Sequence, residues 1–594
     1  MIRSEHAPFR IAMRRAIATL SLAAASTTAL TALAPAPAMA MAEGMADLIL
    51  TNGRIYTVDE AHPWAEAVAV RDGRIIAVGT AKEVAAQKNA QTRVVDLKGR
   101  LLLPSFGDAH NHPVFGGMSH ARCSLHAGKS IDDYRRIIAR CIAENPETGP
   151  NGGVIFGVGW EDGLFPPNGV PTRDILDALS TTRPLIFRSV GGHSLWVNSR
   201  ALQLAGITKA TPDPVNGKID RDPKTGEPVG GLQEAAQALV DGIMPETTAQ
   251  DLQDAIAYTV RHFNSLGITS WHDAGIEWED DGSSAVIDAY KAVADKGALT
   301  VDVAIDLKWK NDKGLEQLPG LLRASARART LGITARSVKF FIDGVIPQQT
   351  AYMLKPYEGT QEVGKPQIKP SVLAAATTAL DEAGIQSHYH TIGDAAVREA
   401  LDAVATARKF DGTADTRPMI SHMNVIDPAD QPRFARLGVT AIFQPLWTCN
   451  EPYMDLTKER IGPVRSHYIY PVGSIEKFGG RVAYGADWSV ASADPLLGIE
   501  VALTRIAPGE DRAPLGASEA VTLAQAVRSY TLDVAYVNHL DQETGSIVPG
   551  KSADFVVLDK DIFRLPARQI GTAKVMVTLF KGAPVHGDLA ALAN

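Results

Sequence analysis

The sequence predicts an α/β fold: a (β/α)8 TIM barrel with a small β-sandwich formed by both chain ends and an inserted lobe after strand one. Three observations predict it. Through the middle of the chain, short apolar runs alternate with helical patterns, and eight of these runs end in chemically functional tips. The two ends of the chain share a different grammar of short strands and tight turns. Between about 113 and 267 the chain is far too long for one βα crossover, which calls for a lobe inserted on the catalytic face.

The ends come first. Asp47-Leu-Ile-Leu-Thr-Asn-Gly and Ala67-Val-Ala-Val-Arg-Asp-Gly-Arg-Ile-Ile-Ala-Val-Gly read as strands, with Asn52-Gly53 and Asp72-Gly73 as hairpin signals. Gly545-Ser-Ile-Val-Pro-Gly-Lys-Ser-Ala-Asp-Phe-Val-Val-Leu-Asp and Lys574-Val-Met-Val-Thr-Leu-Phe-Lys-Gly repeat that grammar at the other end. The domains expected are therefore 45–104 and 531–594 for the sandwich, and 105–530 for the barrel with its lobe. In the barrel the strand tips fall at Asp108–His110, Trp271–His272, Asp306, Lys339–Asp343, His388–His390, His422, Gln444 and Tyr484–Asp487. A helix is expected at 371–383, opened by a Ser371 cap and closed at Gly384.

The 594 residues suffice for a barrel and a second module, and 45% hydrophobic with 21% charged residues is ordinary globular composition. A net charge of −8 argues against nucleic-acid binding, which needs a basic face. Residues 1–40 read as a signal peptide: Arg3, Arg10, Arg14 and Arg15 precede the apolar run Ile17–Leu33 and the Ala38-Met39-Ala40 cleavage site. Export to the periplasm, by the Sec or twin-arginine route and without a retained membrane anchor, is the expectation. Of the three cysteines, Cys123 and Cys141 can pair in an exported chain, although spacing alone does not require it.

The chemistry collects at the strand tips. His110 and His112 stand two apart at the end of strand one, so their side chains point the same way and can grip one ion. Lys339 lies inside the apolar Ser337-Val-Lys-Phe-Phe-Ile-Asp-Gly, where an ammonium is costly to bury. Either it reaches solvent from an edge strand, or its amine is carboxylated by CO2 to a carbamate that bridges two cations. His390 and His422 end the fifth and sixth strands, and neutral imidazole is the commonest protein ligand of Zn2+. Asp487 at the eighth can touch a metal and accept a proton from water. Singly, each is as well explained by core packing or a helix cap; as a set they argue for a metal centre.

Beyond the individual tips, Leu103-Pro-Ser-Phe-Gly-Asp-Ala-His-Asn-His112, Gly159-Trp160, Gly192-His-Ser-Leu-Trp-Val-Asn-Ser-Arg-Ala-Leu202, His272-Asp-Ala-Gly275, Val338-Lys-Phe-Phe-Ile-Asp-Gly344, His390-Thr-Ile-Gly-Asp394, Gly485-Ala-Asp-Trp488 and Asp494-Pro-Leu-Leu-Gly498 occur in this order. With them the chain, from about Asp47 onward, resembles the metal-dependent amidohydrolase superfamily, in its family 3, YtcJ-like branch that includes N-substituted formamide deformylase. The resemblance implies a hydrolase holding one or two divalent ions, expected to be Zn2+. His110 and His112 would ligate the first ion, Lys339 as a carbamate would bridge, His390 and His422 would ligate the second, and Asp487 would be ligand and general base. The family pattern is departed from in two motifs: Ser421 stands where an acidic residue is common before the sixth-strand histidine, and Ser105 and Gly107 alter the opening motif.

His193 and Glu234 fall in the lobe at family-like positions, and His193 is expected to polarise the scissile carbonyl. Trp160, Trp196, Trp447, Trp488, Glu234 and His272 are expected to line or back a pocket for an apolar or aromatic small-molecule substrate. The expected reaction is hydrolysis of an amide, formamide or carbamate bond. Ester or lactone hydrolysis and deamination suit the same scaffold, and a non-catalytic periplasmic binding protein is the remote alternative. Barrels of this type often pair, so a homodimer is expected.

Overall fold

The computed structural model describes residues 45–120, 123–145, 153–166, 169–244, 246–411 and 415–593. The segment read as a signal peptide, 1–40, lies outside the described residues. No helix among the described residues is long and apolar enough to cross a membrane.

Eight strands follow one another in chain order around a single parallel sheet. They are β1 (Phe106–Asn111), β2 (Ile268–Ile276), β3 (Asp302–Lys308), β4 (Thr334–Phe341), β5 (Gln386–Thr391), β6 (Met419–His422), β7 (Thr440–Phe443) and β8 (Arg481–Tyr484). Every neighbouring pair is parallel, and the runs are apolar because helices cover their outer face. All eight expected tips lie on these strands or within a few residues of their ends.

The segment after β8 returns to β1. Asp487 N donates to His110 O at 2.7 Å and His112 N donates to Trp488 O at 2.9 Å. Asp108 accepts from His110 N at 3.0 Å and from Ala486 N at 3.2 Å, so one buried carboxylate ties both sides. The approach demands glycine at 485, where a Cβ would stand 2.4 Å from His110 N.

The chain ends form two sheets. One has the order 74–79, 67–71, 48–51, 93–96; the other has 583–586, 575–580, 555–558, 101–104, 54–56, 64–65. Leu48, Val68 and Leu102 from the N-terminal part share a buried core with Phe555, Val557 and Val577 from the C-terminal part. The Asp72-Gly73 turn is a true hairpin, with φ of 50° and 73° as a type I′ turn requires. Asn52-Gly53 is not. Asn52 is left-handed at φ 53°, but its flanking strands belong to different sheets, and Asn52 Nδ2 donates to Asp96 Oδ1 at 2.7 Å. The pair carries the chain from one sheet to the other.

The helix near 371 starts differently from the sequence expectation. It spans Pro370–Glu382 with Lys369 at the N-cap, and no side chain caps it. Proline's fixed φ suits the first helical position and supersedes a serine cap one residue later. Gly384, at φ 69°, does follow its C-terminal end.

The lobe carries its own six-stranded sheet, ordered 217–221, 228–234, 194–197, 185–189, 155–160, 123–124. Its helix Ile131–Glu144 is held at the C-terminal end by buried Arg183, which donates to Ile142 O at 3.1 Å and Asn145 O at 2.6 Å. A Cys123–Cys141 disulfide, spanning 18 residues, fastens the same helix to the edge strand. Thiol titration of the denatured, unreduced protein is therefore expected to find one thiol, Cys449, and all three after reduction. The Cys123→Ala/Cys141→Ala protein should unfold with a loss of roughly 2–4 kcal/mol.

Candidate metal centre

The closure of the barrel sets the site. Because Asp487 and Trp488 bond to the backbone of His110 and His112, the Asp487 carboxylate is delivered between the two imidazoles. Its Oδ1 lies 3.6 Å from His110 Nε2 and 3.2 Å from His112 Nε2. His110, His112 and Asp487 offer three donor atoms all within 4.8 Å of one another. Asp487 has a φ of 53° and His422 a φ of 77°, left-handed conformations that non-glycine residues rarely adopt.

The other expected ligands face the same space. His422 Nδ1 is 3.8 Å from Asp487 Oδ2 and 3.0 Å from Gln444 Oε1, to which it donates. The His422 ring lies 4.6 Å from that of His110 and 4.6 Å from that of His390. Lys339 Nζ stands 3.2 Å from His110 Nε2. The structure thus brings together His110, His112, Lys339, His390, His422 and Asp487 at the mouth of the barrel.

Burial governs their protonation. It pushes His110, His390 and His422 well below the usual imidazole range; neighbouring Lys339 adds to this for His110 and His422, and His422 for His390. Burial also lowers the Lys339 amine to about 8. Neutral imidazoles are the form that binds metal, and an amine lowered in this way yields more readily the free base that takes up CO2. Two buried atoms here, His390 Nε2 and Asp487 Oδ1, lack any hydrogen bond. Such atoms are costly without a partner, and a divalent cation bound by these N and O donors suits both. The donor set therefore fits a metal.

The lobe adds a second tier. His193 Nδ1 donates to Glu234 Oε2 at 2.9 Å, and Thr350 Oγ1 donates to Glu234 Oε1 at 3.2 Å. Burial opposes charge on His193, but Glu234 raises it above the usual imidazole value. Its ring lies 5.2 Å from that of His390, so lobe and barrel meet at the metal pocket. Gly344 leaves the room for this: a Cβ there would fall 2.4 Å from Glu234 Oε1.

The expected pocket residues divide. Trp447 stacks on His422 at 5.4 Å with an interplanar angle of 17°. Trp488 packs instead against Phe263 and His262 of the helix Ala249–Ser265, with ring centroids 5.4 Å away in each case. Trp160 and Trp196 are corrected to lobe core. Both are fully buried, and their indole N–H groups donate to Phe187 O and Thr172 O at 2.9 Å. His272 backs the site from below, donating to Asp306 Oδ1 at 2.9 Å.

Residues not singled out from sequence complete the surroundings. His388 donates from Nδ1 to Asp306 Oδ2 at 2.6 Å. Its signal was present, since residues 388 and 390 share a face of β5 by strand alternation. Asp343 collects the N–H groups of Tyr352, Ile392 and Gly393 at 2.8–2.9 Å and rises to about 7 because it is buried.

The Amidohydro_3 profile, described as an amidohydrolase family, matches residues 93–586. The chain belongs to this amidohydrolase family. Its relatives include the protein LONG AFTER FAR-RED 3 of Arabidopsis thaliana, 29% identical over 91% of this chain and 92% of that one. N-substituted formamide deformylase of Arthrobacter pascens is 27% identical over 91% of this chain and 98% of its own. Among solved structures, an uncharacterized metal-dependent hydrolase from Pyrococcus horikoshii superposes with a TM-score of 0.66 at 23% identity, covering 88% of this chain and 99% of that one. Membership of this amidohydrolase family implies a divalent ion, and the likeness to the solved structure shows the shared fold.

A metal linking several strands stabilises the native state by mass action. Chelation is expected to lower the melting temperature, and divalent ion at roughly 1,000 times its Kd to restore about 4 kcal/mol. Identical melts with and without chelator would return the histidines to plain core packing.

Proposed function

We propose that this amidohydrolase hydrolyses a C–N bond of amide, formamide or carbamate type in a small compound with an apolar or aromatic substituent, after export to an oxidising compartment. The observation that carries the reading is the convergence of His110, His112 and Asp487, with His390, His422 and Lys339 in the same buried pocket. His110 and His112 would hold a first divalent ion, in our reading Zn2+, and His390 and His422 a second. Lys339, carboxylated at Nζ, would bridge them. When bound, such ions polarise a carbonyl and bring the pKa of water to near ~7.

The chain's own groups do the rest. Asp487 accepts the proton of the attacking water at its buried carboxylate, and afterwards delivers it to the leaving nitrogen, since the base of attack is the acid of departure. His193, held by Glu234, donates to the carbonyl oxygen as negative charge develops there. Trp447 over His422 and Phe341 beside His390, with ring centroids 5.4 and 5.5 Å away, supply apolar wall for the substituent. The formamide deformylase relative supports a C–N bond, and the disulfide supports export.

The test is release of free amine from a panel of N-formyl, N-acyl and carbamate compounds by the mature protein, beside Asp487→Asn. Release by the parent, with kcat reduced roughly 10²–10⁴-fold in the variant, is the expected result. Turnover of esters or lactones with no amine released from any member would overturn the C–N reading while leaving the metal centre intact.

A further inference from the structure

Behind the candidate ligands runs a line of buried side chains that the reaction described above leaves unused. Asp306, near the tip of β3, is fully buried between two imidazoles, accepting from His272 Nε2 at 2.9 Å and His388 Nδ1 at 2.6 Å. With its Nδ1 hydrogen committed to Asp306, His388 turns a lone pair at Nε2 toward Ser421 Oγ, 2.5 Å away. Ser421 Oγ is in turn 2.9 Å from His110 Nδ1. His388 Nε2 at 3.1 Å and Lys339 Nζ at 3.4 Å complete the surroundings of that nitrogen.

One assignment of protons satisfies the line: His110 Nδ1 donates to Ser421, Ser421 to His388, and His388 to Asp306. His110 Nε2 then keeps its lone pair, and it is this nitrogen that faces Asp487 Oδ1. A metal-binding imidazole ordinarily donates its second N–H to a carboxylate, carbonyl or water, which fixes its tautomer and raises its basicity. Here the carboxylate is reached through a hydroxyl and a second imidazole.

We infer that Ser421, His388 and Asp306 are positioning residues that lock His110 in the tautomer and orientation of a metal ligand. The inference rests on reading the pocket as a metal centre. A Ser–His–Asp order also describes an activated nucleophile, but Ser421 is fully buried and its oxygen is held between two imidazoles.

The test measures Zn2+ affinity by competition with a chromophoric chelator, and the visible spectrum after Co2+ loading, for the mature parent, Ser421→Ala, Ser421→Thr and Asp306→Asn. Ser421→Ala and Asp306→Asn are expected to lose roughly 10–100-fold in affinity and to shift the Co2+ bands. Ser421→Thr, which keeps a hydroxyl, should stay close to the parent. Equal affinity of the Ala and Thr variants, or parental affinity in Asp306→Asn, overturns the inference. Should the variants fail to fold, histidine-selective 15N NMR of the unmodified metal-loaded protein decides: His110 is expected to be protonated at Nδ1, and an unprotonated Nδ1 overturns it. Covalent labelling of Ser421 by a fluorophosphonate would also overturn it, by making the serine a nucleophile. A parent that binds no metal defeats the metal reading above; a parent that binds metal alongside unchanged variants defeats only this step.

Discussion

The backbone hydrogen bonds that carry the segment after β8 back to β1 are the interactions on which the rest of the structure depends. Asp487 N to His110 O and His112 N to Trp488 O close the barrel at its catalytic mouth. The same residues bear the donor groups, so closing the sheet and assembling the site are one event. This also accounts for where strain is tolerated. Asp487 is left-handed in the returning segment and His422 at the end of β6, each at a cost of about 1–3 kcal/mol that the surrounding packing must over-determine. Asp108, accepting from both sides of the junction, does on a buried carboxylate what a further ladder bond would do in a longer strand.

Closing the mouth this way crowds basic groups together, and burial settles their state. Charged imidazolium at His110, His390 and His422 is disfavoured by desolvation and by the neighbouring cationic groups, Lys339 and the other histidines. The three imidazoles therefore present lone pairs rather than positive charge. A divalent cation is the natural counterpart of such a set, and the unpartnered His390 Nε2 and Asp487 Oδ1 are where that counterpart is most needed. Below, negative charge is contained differently: both imidazoles against Asp306 hold its carboxyl well below the usual range despite its burial.

Much of this was legible in the sequence, for a physical reason. A His, Lys or Asp ending an apolar run is rare enough that seven such tips among eight strands in series, with sandwich grammar at both ends, leave few folds to choose from. What escaped shared one feature: dependence on partners distant in the chain. Asn52-Gly53 has the composition of a hairpin, yet Asp96 and the second sheet decide its geometry. Trp160 and Trp196 carry the same residue type whether they line a pocket or fill a lobe, and only the strands around them place them in the core. Pro370 prevailed over Ser371 because its backbone angle is fixed before any capping bond forms. His388 gives no signal distinct from His390, because a single histidine at the end of β5 already completes the metal pattern, although alternation places both on the same face.

The departure at Ser421 acquires meaning from His388, 2.5 Å from its hydroxyl. An acidic residue there, as the family resemblance leads one to expect, would set a carboxylate directly beside His110. Serine cannot supply the charge, and a hydroxyl alone is a weak acceptor for a ligand imidazole. In this chain the carboxylate sits on β3 instead, at Asp306, and His388 and Ser421 span the gap in hydrogen bonds of 2.6, 2.5 and 2.9 Å. In this chain the negative charge lies beneath the pocket, where His272 shares it. Asp487 is then the carboxylate that faces the Nε2 atoms of His110 and His112, the position the proposed general base requires. The lobe stands apart from this arrangement: it reaches the pocket through His193 and Glu234, neither of which touches Ser421, His388 or Asp306.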